Sequence, residues 1–378
     1  MLKKYMCMAL AALFLLGYGT AYAEEYPVDI SGIKAAVVIE QSSGEMVIQY
    51  NAMDEMDTGG LSRLPVLLAV CRKIDSGATA LTDTVTVSAA AAKVSGPTAF
   101  LETYERAEVS MLLKAAVMIC AGDAIYALAE GIFGSAEACT MAVNNIMREL
   151  NIDANYTDIT GSGISFTAYE MAKIGAELMH SQSFTLYSGL FYDTILHSDG
   201  RTTELASSNK LLKSCVGTNG VGTGSSSGAG YCGVFSVKRG NTSYICTIFG
   251  ARNSSHRAEK AQSMLEYAFA AYDAKTLATA GEIIEESIAV HHGTKGNVAL
   301  VAKKTSVALM PKNAKPLEQR EIPEILEAPV DTNTVVGKIT YTLDGEIVGL
   351  VELVSAENVE RANAFDYVRM SLMEWLHC

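Results

Sequence analysis

The chain has 378 residues, 49% of them hydrophobic and 19% charged, a balance that excludes a disordered, collagen-like or small disulfide-stapled protein. This length fits two domains, or one large domain with an appendage. The formal net charge of -13 argues against a nucleic-acid partner, because phosphate backbones are held by basic surfaces.

The chain opens with Lys3 and Lys4, an apolar run from about Met6 to Leu16, and small residues around Ala21-Tyr22-Ala23. This pattern predicts a cleavable secretory signal over 1–23. An uncleaved anchor is the alternative, but the run falls short of the roughly 20 residues that span a bilayer. Loss of Lys3 and Lys4 takes Lys+Arg from 29 to 27 against 42 Asp+Glu, so the net charge moves from -13 to -15. Cys7 leaves with the signal, and the seven remaining of 8 cysteines leave at least one thiol unpaired or bridging molecules. No spacing among the cysteines and the 6 histidines matches a zinc site, so neither a metal nor a cofactor is expected.

Residues 34–51, KAAVVIEQSSGEMVIQYN, are two apolar, β-branched runs around Ser42, Ser43 and Gly44, which predicts a β-hairpin. From about Leu64 to Phe184 alanine-rich segments such as MLLKAAVMICAGDAIYALAEGIF and TAYEMAKIGAELMH repeat at a period of 3.6 and read as packed helices. Strands return at Tyr231–Val237 and Ser243–Phe249 around the turn residues Lys238-Arg239-Gly240-Asn241. Cys232 and Cys246 lie on these runs, where a facing pair is one reading and buried free thiols the preferred one. A helix over Ser255–Tyr272 closes this part. Strands enclosing a helical middle imply a mixed α/β domain over 24–275 whose terminal strands share one sheet.

Short alternating runs then mark a β-rich domain over 276–357, including SVALM and VVGKITYTLDGEIVGLVELV with a turn at Asp344-Gly345. The last stretch, 358–378, puts Phe365, Val368, Leu372 and Leu376 at helical spacing. It reads equally as a peripheral membrane contact through 363–378 or as a helix docked on the β-rich domain.

Several of these segments stand in an order that resembles a known family. They are KAAVVIEQSSGEMVIQYN, SMLLKAAVMICAGDAIYALAE, TAYEMAKIGAELM, SSNKLLKSCVGTNGVGTGSSSGAGYCGVFSVKRG and GKITYTLDG. The family is the low-molecular-weight penicillin-binding proteins that act as serine-type D-alanyl-D-alanine carboxypeptidases, and the likeness covers nearly the whole mature chain. It implies an α/β, β-lactamase/transpeptidase-like domain, a mixed sheet with a helical subdomain, followed by a small β-rich C-terminal domain. It also implies an exported protein at the cell wall or the outer face of the cytoplasmic membrane, with peptidoglycan stem peptides or wall-synthesis proteins as partners.

The family's chemistry rests on three motifs, and this chain departs from each. Ser-x-x-Lys puts an amine one helical turn from a hydroxyl, where it takes the proton as serine attacks a carbonyl. The matching residues are Gly60-Leu61-Ser62-Arg63. Glycine offers no nucleophile, and a guanidinium is never deprotonated in a protein. Ser62 is not a ready substitute, since the residue one turn later is Pro65, which also distorts or delays the helix start. Its expected role is a helix N-cap. Ser-x-Asn is matched by Cys120-Ala121-Gly122, so the substrate-holding amide is missing. Cys120 is an alternative nucleophile only beside a cation, with Arg63 the neighbour the resemblance suggests, and a buried, inert thiol is the preferred reading. Lys-Thr-Gly is matched by Gly222-Thr223-Gly224, which loses the cation and keeps the hydroxyl and the close-approaching backbone.

Three other matches are set aside. Ser31-Gly32-Ile33-Lys34 and Ser207-Ser208-Asn209-Lys210 fit Ser-x-x-Lys without opening a helix of the right kind. Gly224-Ser225-Ser226-Ser227-Gly228 fits a nucleophile elbow, yet a strand follows where that fold demands a helix, so it reads as a flexible loop.

The expected function is a non-catalytic carboxypeptidase-like protein that binds stem peptides, through Arg63, Thr223 and Gly224, or wall-synthesis partners. The alternative is an active carboxypeptidase using Ser62 or Cys120. A third reading is an interaction module whose β-rich domain does the binding.

Overall fold

The computed structural model describes residues 26–369. The predicted signal over 1–23 and the end of the predicted C-terminal helix, from residue 370, lie outside the described residues. Residues 364–369 are helical.

A five-stranded antiparallel sheet organises the larger part of the chain. Its strands are β1 (Ala35–Glu40), β2 (Met46–Tyr50), β3 (Thr218–Ser226), β4 (Gly230–Arg239) and β5 (Thr242–Ala251), in the order β2-β1-β5-β4-β3. The expected hairpin is β1–β2, and β1 pairs with β5 from Ala35 opposite Phe249 to Glu40 opposite Tyr244, so the two ends of this part share one sheet. Every residue of β1 is buried, and its run AAVVIE reads as a strand covered on both faces. Ala35, Val37 and Ile39 point into one apolar cluster while Ala36 and Val38 point into another, as strand alternation requires.

The helical side on the first face includes α1 (Leu64–Asp75), α2 (Val109–Ile119), α3 (Gly122–Phe133), α4 (Ala136–Glu149) and α5 (Ala168–His180), together with a short helix over Gln182–Ser188. The second face is covered by α6 (Ser254–Ala271), which contributes Ala258, Ala261, Met264, Leu265 and Ala268. A hairpin of Tyr192–Leu196 and Thr202–Ala206, absent from the sequence reading, joins the helical side. Its strands alternate only weakly, with one fully buried position in each.

Cys232 and Cys246 do not face each other. In the β4–β5 pairing Cys246 stands opposite Phe235, and the two thiols belong to different faces of the sheet. The six cysteines among the described residues are all buried and free. The segment Gly224-Ser225-Ser226, expected as loop, continues β3, and Ser226 Oγ donates to Asp57 at 2.8 Å.

The remaining strands form the β-rich part. They are β6 (Tyr272–Ala278), β7 (Ile283–His291), β8 (Asn297–Ala302), β9 (Ser306–Pro311), β10 (Leu317–Glu321), β11 (Ile325–Glu327), β12 (Val335–Leu343) and β13 (Glu346–Ser355). Six make a sheet in the order β10-β12-β13-β8-β7-β11, while β6 pairs with β9. Asp344 and Gly345, with φ of 51° and 90°, form the two-residue turn between β12 and β13 that the Asp-Gly pair predicts. No helix among the described residues is long and apolar enough to cross a membrane.

Phe249 is fully buried where β5 meets the helices. We predict that Phe249→Ala lowers unfolding free energy in urea by about 3–5 kcal/mol. A loss below about 1 kcal/mol would contradict this packing.

Candidate functional site

The helix start carries the first departure from a hydrolytic site. A 3-10 turn, Gly59–Arg63, precedes α1, and Pro65 sits at the second position of the helix. Arg63 holds the cap position and makes no side-chain cap. The expected capping role of Ser62 is therefore not found. Its hydroxyl lies inside the turn and donates to the Gly59 carbonyl at 3.0 Å, while its own carbonyl accepts from the Tyr156 hydroxyl. With the residue 6% exposed and its hydroxyl proton engaged, Ser62 is a turn residue.

The helical segment around Cys120 is not continuous. Cys120 takes a left-handed conformation, φ 52° and ψ 41°, between α2 and α3, and its N–H caps α2 by donating to the Ala115 carbonyl. Gly122 N–H donates to the Pro97 carbonyl at 2.8 Å. A periodic apolar pattern that runs through both helices hides this break, yet the break brings Cys120 to the cleft wall.

A cleft of about 150 Å³ gathers Gly60, Cys120, Thr223 and Gly224 with Ser208 and Arg257. Thr223 and Gly224 lie on β3, the edge strand of the sheet. A Cβ at Gly224 would fall 2.8 Å from Leu61 N and 3.0 Å from Gly60 N, so only glycine lets the strand lie against the turn. Thr223 Oγ1 is hydrogen-bonded to Ser208 Oγ. A Cβ at Gly222 would sit 3.2 Å from Cys120 Sγ, so a side chain there would press on the thiol.

Arg257 is the cation of this cleft, and the sequence reading missed it. It is 3% exposed. Nη1 donates to the Cys232 carbonyl at 2.9 Å and Nη2 to the Ser208 carbonyl at 3.0 Å, while buried Nε has no partner. Burial draws its pKa down to about 10, with Cys232, Tyr231 and Cys120 acting in the opposite direction, so the group stays charged at neutral pH. The available signal was a cation on an apolar stripe, because Arg257, Ala261, Met264 and Ala268 share the buried face of α6. Ser208, part of a chance Ser-x-x-Lys match, joins Thr223 to Arg257 through its hydroxyl and its carbonyl.

Arg63 lies close enough to Cys120 for its charge to act on the thiol, as the resemblance suggests. Rather than joining Thr223, it lines a second cavity of about 790 Å³ that meets the cleft at Gly60. Its Nη2 donates to the Ser95 carbonyl at 2.9 Å. A Cβ at Gly122 would lie 2.9 Å from Nη1 and 3.0 Å from Cζ, so the guanidinium fills the room that an asparagine side chain would take. Burial lowers its pKa against the pull of Cys120 and Asp123. The Asp123 carboxylate accepts N–H groups from Ala99, Leu101 and Ala124 at 2.8–3.1 Å.

Burial raises the Cys120 thiol pKa, which Thr223 N–H, Arg63 and Arg257 counter. The net direction holds the thiol protonated and poorly nucleophilic. What the cleft offers is a buried cation, a hydroxyl and an edge-strand backbone, a set suited to a peptide carboxylate. Among the described residues no group of three or more His, Cys, Asp or Glu converges as a metal ion requires.

Comparison with known proteins agrees with this architecture. Residues 22–253 match the D-alanyl-D-alanine carboxypeptidase family, and residues 272–361 match the C-terminal domain of penicillin-binding protein 5. D-alanyl-D-alanine carboxypeptidase DacF of Bacillus subtilis is 25% identical, covering 99% of each chain. DacC of Escherichia coli is 27% identical, covering 97% of this chain and 95% of its own. Penicillin-binding protein 5 of Haemophilus influenzae superposes with a TM-score of 0.80 at 23% identity, covering 89% of this chain and 100% of its own. The chain belongs to the D-alanyl-D-alanine carboxypeptidase family.

The contact between Arg63 and Gly122 makes a double-mutant prediction. Gly122→Ala is expected to cost about 1–3 kcal/mol of stability by overpacking against Arg63 and Val94. In an Arg63→Ala background the cost should fall by about 0.5 kcal/mol or more, read from urea denaturation of the four proteins. Additive costs would place the guanidinium away from position 122.

Proposed function

We propose that this protein is an exported, non-catalytic member of its family that binds peptidoglycan stem peptides ending in D-Ala-D-Ala. The reading rests on one observation. The turn that opens α1 presents Gly60 to the cleft, with no hydroxyl, and the side chain one turn on is a guanidinium directed into the adjoining cavity. Loss of the nucleophile or base of a serine hydrolase costs on the order of a million-fold in turnover, roughly 8 kcal/mol of barrier. Backbone contacts do not replace that.

Binding asks for less. The peptide lies along the edge strand β3, which Gly224 seats against the turn at Gly60, and its terminal carboxylate meets the Thr223 hydroxyl and the Arg257 guanidinium. This assignment gives to Arg257 the clamp first expected of Arg63, and Thr223 and Gly224 keep their expected places. The missing lysine at position 222 removes one charge-assisted hydrogen bond, worth about 1.5–3 kcal/mol, which weakens capture without abolishing it.

The second reading, an active carboxypeptidase, draws on Cys120, which lines the cleft between two arginines. Intact-mass analysis after exposure to a β-lactam separates the two. We predict an unchanged mass, whereas an adduct lost in Cys120→Ala would establish the second reading. Calorimetry with an acetylated D-Ala-D-Ala peptide tests the binding itself. Arg257→Ala should weaken affinity by about tenfold or more, and equal affinities would remove the clamp.

A further inference from the structure

The cavity beside the cleft carries two cations with no counter-ion. Arg63 and Lys93 both line it, and among the described residues neither makes an ion pair. Elsewhere in this acidic chain Arg72, Arg201, Arg239 and Arg320 each hold a carboxylate. The one acid in the cavity wall, Asp57, is occupied, accepting the Gly59 N–H and the Ser226 hydroxyl at 2.8 Å each. Asp123 acts on Arg63 through space, but its oxygens are taken by backbone N–H groups. A half-buried guanidinium that has lost water and gained only the Ser95 carbonyl retains unmet donors.

The cavity's other polar groups suit an anion. Tyr126 and Ser162 also line it, and their hydroxyls can donate to an anion beside a guanidinium and an ammonium, whereas the Thr160 hydroxyl is held by the Asp158 carboxylate. Gly60 is shared with the cleft, and a Cβ there would meet nothing within 4 Å, so no side chain divides the two spaces.

We propose that this cavity is an anion subsite that takes a second carboxylate, carried by the bound peptide upstream of its D-Ala-D-Ala end, between Arg63 and Lys93. The proposal rests on the reading of the cleft as a D-Ala-D-Ala binding site. The position that served proton transfer in the family pattern then serves ligand selection, and the ligand class is an acidic peptide. Carboxylate pairing with a partly desolvated guanidinium is a charge-assisted contact, so discrimination should exceed that of a surface pair.

Calorimetry with two acetylated tripeptides tests it, one with L-Glu and one with L-Gln ahead of D-Ala-D-Ala. The Glu peptide should bind about fivefold tighter or more, and the ratio should fall toward one in Arg63→Gln and in Lys93→Gln. Lys93 is exposed, so its variant keeps the test sound if Arg63→Gln fails to fold. Equal affinities in the parent protein, or a ratio untouched by Lys93→Gln in a folded protein, overturn the subsite. If neither tripeptide binds, the cleft reading fails by itself, and titration with succinate examines the cavity alone. Heat that disappears in Lys93→Gln then supports the anion site, and no heat overturns it.

Discussion

The guanidinium of Arg63 and a side chain at position 122 compete for the same volume, and the rest of the site follows from which of them is present. Here the guanidinium and Val94 hold the space that a Cβ at 122 would enter, with the Ser95 carbonyl as the guanidinium's acceptor. Position 120 and position 222 show a related packing relation, because a Cβ at Gly222 would stand 3.2 Å from Cys120 Sγ. The departures from the three family motifs are therefore not independent. A side chain at 122 would require both Val94 and the Arg63 guanidinium to move, so the two positions are coupled in packing.

The same packing leaves the edge strand untouched. Gly224 still lets β3 lie against the turn, Thr223 still faces the cleft, and Arg257 is held by two backbone carbonyls on the far wall. A buried cation fixed in this way, with its desolvation only partly compensated by two carbonyls, would gain from a carboxylate. Retained binding groups beside altered reacting groups are what separate a peptide-binding reading from a hydrolytic one.

Much of the fold was legible in the residues. The run AAVVIE with its Ser-Ser-Gly turn, the paired strands around Lys238–Asn241 and the Asp344-Gly345 turn each carry local chemistry that fixes an element. The site was legible only where motifs have fixed spacing, at positions 60–63, 120–122 and 222–224. Arg257 escaped because its role comes from a tertiary approach of α6 to β4 and to Ser208, more than 40 residues earlier in the chain. The break at Cys120 escaped because helical periodicity continues across it, and the hydrogen bond from Gly122 to Pro97 that stabilises it is non-local. The direction of Arg63 depends on the loop at Ser95 and Gly96, which no local pattern places near the helix start.

The central claim concerns bond cleavage, and release of free D-alanine from an acetylated D-Ala-D-Ala peptide tests it most directly. With purified protein and long incubation, the account predicts release no faster than in buffer. Release that is abolished by Cys120→Ala or by Ser62→Ala in a folded protein would contradict it.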